Sequence, residues 1–200
     1  MRRSLALGCL AAIAAADFTM HRRRPRWILI GLFDHPAHLA TAGLLVLNAP
    51  PRPRRWTIAF LVGALLPDLD HLPLALRPEH PSPDDPRPVS HCLLAVAPVA
   101  ALAGVTQSER LHGLAGGMAA HFLRDLGVGT GVPLLWPASA RSLRVPYAVY
   151  VAGCMLLAGR AFLGGLRLPL GGRELDNAPR QLGSGLRLER RQRGRGRRGT

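Results

Sequence analysis

The sequence predicts an all-α protein, a multi-helical bundle associated with a membrane. Apolar runs recur along the chain, each stopped by proline, glycine or arginine. Hydrophobic residues make up 48% of the 200, and they coexist with a net charge of +14. The two are compatible because they are segregated, with apolar runs in the body and arginine at the turns and the C-terminal tail. All 26 basic residues are arginine. His and Asp residues interrupt the apolar body in two clusters, and such groups are costly to bury without a partner.

The elements follow in order. Residues 1–19 have a basic start and an apolar run ending in small residues, the outline of a signal peptide or a first anchor. A start at Met20, opening MHRRRPRW, fits equally, and the three readings stay open. Residues 1–33 are thus a signal-like or anchor segment with a basic patch, 34–170 a helical domain, and 171–200 a tail rich in arginine and glycine. Within the domain, 37–49 reads as a helix stopped by Pro50, Pro51 and Pro53. Trp56 to Leu66 is a second, ending at Pro67. Residues 72–90, full of proline and charge, read as a loop. Ser90 is then an N-cap for a helix over 91–107. Another runs from 108 to 126, where LGVGTG stops it, and a last from 146 to 166. A bilayer span takes about 20 residues, and only 91–107 and 146–166 approach that length. Arg187 to Thr200 reads as low-complexity and disordered.

Cys9, Cys92 and Cys154 lie far apart with no CxxC pair, which excludes a disulfide framework and a thiolate zinc site. They read as small buried hydrophobes.

If the helices alternate in direction, as short connections require, the chemistry collects at one end. His38 starts one helix. Asp68, Asp70 and His71 follow the end of the next. His91 begins a third, and His121 and Asp125, four apart on one helical face, lie in the last turns of a fourth. PDLDH places three donors in four residues after a proline-broken helix, and packing alone rarely produces that. DHPAH offers Asp34, His35 and His38, with His38 ranked first as the helical one. His80 and His112 read as solvated or secondary, and His21 as part of the basic patch. Donors of His and Asp type without thiolate point to a divalent ion, zinc first, with manganese or iron behind it. Seven candidates exceed one four-ligand site, so one or two ions are expected. Paired ions suit hydrolysis, one lowering the pKa of a water and the other polarising a phosphoryl or carbonyl oxygen. Asp68 or Asp70 is the candidate general base, and the sequence leaves the choice open.

GALLPDLDH, RPVSHCLL, GGMAAHFLRDLGVGTGVPLLWP and LRVP together resemble the family of membrane-bound metal-dependent hydrolases that includes the LexA-binding inner-membrane hydrolases. The resemblance covers about residues 34–150. It implies a helical fold related in its His/Asp layout to zinc phospholipase C and the single-strand nucleases. It also implies a metal site at His38, Asp68, Asp70, His71, His91, His121 and Asp125, and a multi-pass place in the bacterial inner membrane. The family pattern His-Arg-Gly-x-Thr-His-Ser is here Pro86-Arg87-Pro88-Val89-Ser90-His91-Cys92, without the first histidine and the glycine. One expected ligand of a second ion is therefore missing.

The leading function is hydrolysis of a phosphoester or lipid-like substrate at the membrane, with membrane lipids as partners. Its rivals are metal binding without catalysis, and binding of anionic lipid or nucleic acid by the tail. The tail sets seven arginines against Glu189 alone, and such tails bind phosphates with little specificity.

Overall fold

The computed structural model describes residues 1–23, 27–71 and 91–164, and among them every regular element is helical. These residues belong to one compact unit, Met1–Leu166. The expected loop 72–90, with His80, and the arginine tail lie outside the described residues.

The order is α1 (Arg2–Arg23), α2 (Trp27–Asn48), α3 (Arg54–Gly63), a 3-10 segment (Leu66–His71), α4 (Leu93–Thr106), α5 (Glu109–Gly127) and α6 (Tyr147–Leu163). Between α5 and α6 the chain makes one isolated antiparallel bridge, Val132 to Leu143.

Several boundaries differ from the sequence reading. The helix expected over 37–49 begins at Trp27 and continues through Pro36. A mid-helix proline forfeits one backbone hydrogen bond, and α2 tolerates this because it packs against α1, α5 and α6 along its length. As a result His38 lies mid-helix rather than at a helix start. The helix read to Leu66 stops at Gly63, and the tighter 3-10 coil takes over. The fourth helix starts at Leu93, so Cys92 rather than Ser90 occupies its N-cap, with no side-chain cap bond. Ser108 does cap α5, its hydroxyl accepting from Leu111 N at 3.4 Å. At about 1.5 Å per residue, α4 and α6 reach roughly 21 and 25 Å, short of a typical hydrocarbon core. Among the described residues, the helix long and apolar enough to cross a membrane is instead α1, over Arg2–Arg22.

Small residues fill the interior. Ala6, Ile13 and Ala16 of α1 pack with Ala37, Ala40 and Leu44 of α2 and with Tyr150, Cys154, Ala158 and Ala161 of α6. Large apolar side chains point outward instead, including Leu102 and Val105 of α4 and Met155, Leu156 and Leu163 of α6. Cys92 and Cys154 are buried and Cys9 half-buried, all three free, as small hydrophobes should be.

The most extensive helix contact, α3 on α5, depends on glycine. A Cβ at Gly113 would meet Trp56 O, and one at Gly117 would meet Phe60 O and Ala64 N at less than ordinary contact distance. Two glycines one turn apart thus let the backbones touch, the small-xxx-small geometry of close helix pairs. That approach sets the end of α3, and the 3-10 segment after it, against the second half of α5. Gly117→Ala should wedge the pair apart and destabilise the protein by about 1–3 kcal/mol, the usual cost of overpacking. A lowered thermal midpoint in detergent checks this; an unchanged midpoint would mean the close approach is not needed.

Candidate metal centre

Three local geometries deliver the donors. On α5, the i, i+4 spacing puts His121 Nε2 2.9 Å from Asp125 Oδ2. The 3-10 coil, near three residues per turn, brings Asp68 and His71 to one side, with His71 Nδ1 3.7 Å from Asp68 Oδ1 and 2.8 Å from Asp70 Oδ1. His91 enters just before α4, on a segment pinned where Leu93 N donates to Leu134 O.

All seven expected residues come together. Three sets have donor atoms within 4.8 Å of one another: His38, His121 and Asp125; Asp68, His91 and His121; Asp70, His71 and His91. His38, His91, His121 and Asp125 are buried almost completely. Asp68, Asp70 and His71 keep partial exposure and form the mouth. His21 and His112 are exposed, and His112 Nδ1 bonds Ser108 O, so neither joins the site.

The imidazoles are aimed. His121 Nδ1 lies 2.8 Å from Ala64 O. A carbonyl only accepts, so Nδ1 carries the proton and Nε2 presents its lone pair inward. His91 Nδ1 lies 3.2 Å from Asp70 Oδ2, and by the same reasoning its Nε2 is the free donor. A carboxylate or carbonyl behind the ring is how metal-binding histidines are oriented. His91 Nε2 is 3.5 Å from Asp68 Oδ1 and 3.7 Å from Asp125 Oδ2; His121 Nε2 is 3.4 Å from Asp68 Oδ1. Neighbouring ligands of an ion with bonds of about 2.0–2.1 Å sit roughly 3.0–3.4 Å apart, and these four imidazole–carboxylate distances lie at or a little beyond that spacing. The buried Nε2 atoms of His38, His91 and His121 face carboxylate oxygens at 2.9–3.7 Å, an arrangement that needs a proton or a metal cation between the facing lone pairs.

The electrostatics agree. Burial opposes ionisation of Asp68, yet the imidazoles of His121, His35 and His91 around it hold its carboxyl well below the usual range. Asp70 is likewise lowered against burial by His71 and His91. Burial would depress His91, but Asp68 and Asp70 raise it above its ordinary value. Ionised carboxylates facing histidines favour positive charge in the site, whether carried by protonated imidazole or by a bound cation.

The sequence reading missed a second layer. Arg124, completely buried, donates from Nε and Nη2 to Asp34 Oδ1 at 2.7 and 2.5 Å and from Nη2 to Asp17 Oδ1 at 2.7 Å. Its Nη1 reaches Tyr150 OH at 3.3 Å, and that hydroxyl pairs with Thr41 Oγ1 at 2.8 Å. Asp17 also accepts from Tyr147 OH at 2.6 Å. Four helices are thereby tied together beside His38, whose Nε2 lies 3.3 Å from Asp34 Oδ2. His35, set aside in the sequence reading as the less helical of two, is on α2 with its Nε2 3.2 Å from Asp68 Oδ2. The i, i+3 spacing of His35 and His38 was the signal that could have found it.

The family model of the YdjM inner membrane protein matches residues 31–170. No curated protein and no solved structure matches the chain.

Proposed function

We propose that this chain, which belongs to the YdjM inner membrane protein family, is a metal-dependent hydrolase acting on a phosphoester or lipid-like substrate at the membrane. The observation that carries the proposal is that His91 Nε2 and His121 Nε2, both imidazoles oriented from behind, each lie within 3.7 Å of a carboxylate oxygen of Asp68 and of one of Asp125.

A divalent ion held there, zinc first by its nitrogen and oxygen donors, would supply a Lewis acid and an acidified water. The chain's own residues do the rest. Ala64 O and Asp70 fix the two imidazoles. Asp70 Oδ1 also holds His71 Nδ1 at 2.8 Å, which leaves the His71 Nε2 as a proton acceptor at the mouth. In this assignment Asp70 orients, His71 shuttles the proton, and Asp68 is ligand rather than base. His71 is within the partly exposed side of the cluster, where a substrate would enter. Small residues inside and leucines outside suit a bundle whose neighbours are lipid tails, so α4 and α6 are read as lying in the bilayer beside α1. The arginine-rich tail serves as an electrostatic accessory toward anionic lipid.

Protein purified in detergent without chelator should carry at least about one zinc or manganese per chain. It should cleave a chromogenic phosphodiester or micellar phospholipid, lose that activity to chelator and regain it with zinc or manganese. Folded protein with clearly less than one ion per chain would sink the reading. Metal-loaded protein inert toward every phosphoester and lipid ester offered would leave metal binding without catalysis.

A further inference from the structure

We propose that the centre holds two ions side by side, the second seated against α2 by His38, His35 and Asp34 and bridged to the first by Asp68 and Asp125. This rests on the reading of the first ion given above and assigns ligands to a second.

The two central aspartates divide their oxygens between two sets of imidazoles. Asp125 turns Oδ2 toward His121 and His91, and Oδ1 toward His38 Nε2 at 3.5 Å. Asp68 does the same, with Oδ1 toward His121 and His91 and Oδ2 toward His35 Nε2 at 3.2 Å. A carboxylate that shows one oxygen to each of two donor sets is placed to bridge two cations. A single first-row ion takes four to six ligands. Four imidazole nitrogens and four carboxylate oxygens are too many for it.

The spacing of the rings supports a pair of ions. His38 and His121 are stacked, with centroids 3.9 Å apart and planes within 8° of parallel. Parallel imidazoles that each hold one ion through Nε2 would separate the two ions by about the 3.5–4 Å found in two-metal hydrolytic sites. His38 is fully buried, and its Nε2 faces two carboxylate oxygens, Asp34 Oδ2 and Asp125 Oδ1, at 3.3 and 3.5 Å, a place suited to a cation shared among the three. Asp34 adds a third donor. Arg124 occupies its Oδ1, and Oδ2 stands 3.3 Å from His38 Nε2. His35, whose side chain is 41% exposed, closes the mouth side and leaves room there for a substrate oxygen.

Charge completes the case. Asp17, Asp34, Asp68, Asp70 and Asp125 bring five negative charges and Arg124, shared by Asp17 and Asp34, one positive, which leaves four negative charges in excess. Two dications neutralise the four. One would leave two negative charges to be met by protonated imidazoles, and a protonated imidazole has no lone pair left to ligate.

The test is to strip the full-length chain of metal in detergent, titrate it with Mn2+, and follow stoichiometry together with the electron paramagnetic resonance spectrum. Wild type should take up two Mn2+ per chain, and the second should convert an isolated-ion signal into an exchange-coupled one. His38→Gln should bind one Mn2+ with an uncoupled signal. His35→Gln, at the exposed mouth where folding is least at risk, should weaken the second ion at least about tenfold and leave the first unchanged. Saturation of wild type at one uncoupled Mn2+ would overturn the second site and leave the first-ion reading standing. No Mn2+ binding by folded protein would overturn both. A coupled pair surviving in His38→Gln would overturn the ligand assignment.

Discussion

Replacing His121 with asparagine should empty the first metal position while leaving the protein folded. Asparagine can place an amide N–H where His121 Nδ1 now donates to Ala64 O, so the tie between α5 and the end of α3 survives. What disappears is Nε2, which lies 3.4 Å from Asp68 Oδ1 and 2.9 Å from Asp125 Oδ2. Loss of a residue that merely orients a ligand already costs about 10–100-fold in metal affinity, and loss of a ligand should cost at least as much. Elemental analysis should show occupancy falling by tenfold or more at equal free metal, with helical circular dichroism unchanged. His121→Ala should lose metal equally but melt lower, because it also drops the Ala64 bond. Full occupancy in folded His121→Asn would exclude this histidine as a ligand.

Arg124→Met should produce the largest loss of stability. The guanidinium is the shared partner of Asp17 and Asp34, with Tyr150 on its third side. Methionine matches its volume but leaves two carboxylates in the interior without a countercharge. Breaking a buried ion pair from one side costs about 3–5 kcal/mol. The thermal midpoint in detergent should fall sharply, and metal affinity with it, because Asp34 stands directly beside His38. Arg124→Lys should recover only part, since an ammonium cannot offer the planar fork that Asp34 and Asp17 share. Adding Asp34→Asn to Arg124→Met should restore some stability by removing one stranded charge. A midpoint unchanged in Arg124→Met would show that the network contributes little.

Local pattern alone made much of the centre readable. PDLDH after a proline-broken helix, HFLRD at helical spacing and a histidine opening an apolar run are all short-range features, and alternating helices bring them to one region. The all-helical class followed from apolar runs cut by proline and glycine, and membership of an inner-membrane family accords with that apolar body. Arg124 was visible only as the residue between His121 and Asp125, because its partners lie 107 and 90 residues away. No periodicity connects Asp17 to Arg124; residues 1–19 read as a leader or anchor, and α1 is indeed long and apolar enough to cross a membrane. In the fold α1 packs on α2 and α6 and supplies a carboxylate behind the site. The sequence reading began this helix at residue 37, yet α2 runs from Trp27 through Pro36, and this puts His35 on the same helix as His38.

The sequence by itself determined most of the candidate donor side chains, because residue type and spacing along one helix or one tight coil are short-range properties. Tertiary structure decided which nitrogen of each histidine faces inward and which oxygen of each aspartate faces which imidazole. The physical reason is that these choices are made by groups distant in sequence. Ala64 O sets the tautomer of His121, Asp70 that of His91, and the bare backbones of Gly113 and Gly117 let α3 come close enough for Asp68 to meet His121 at all.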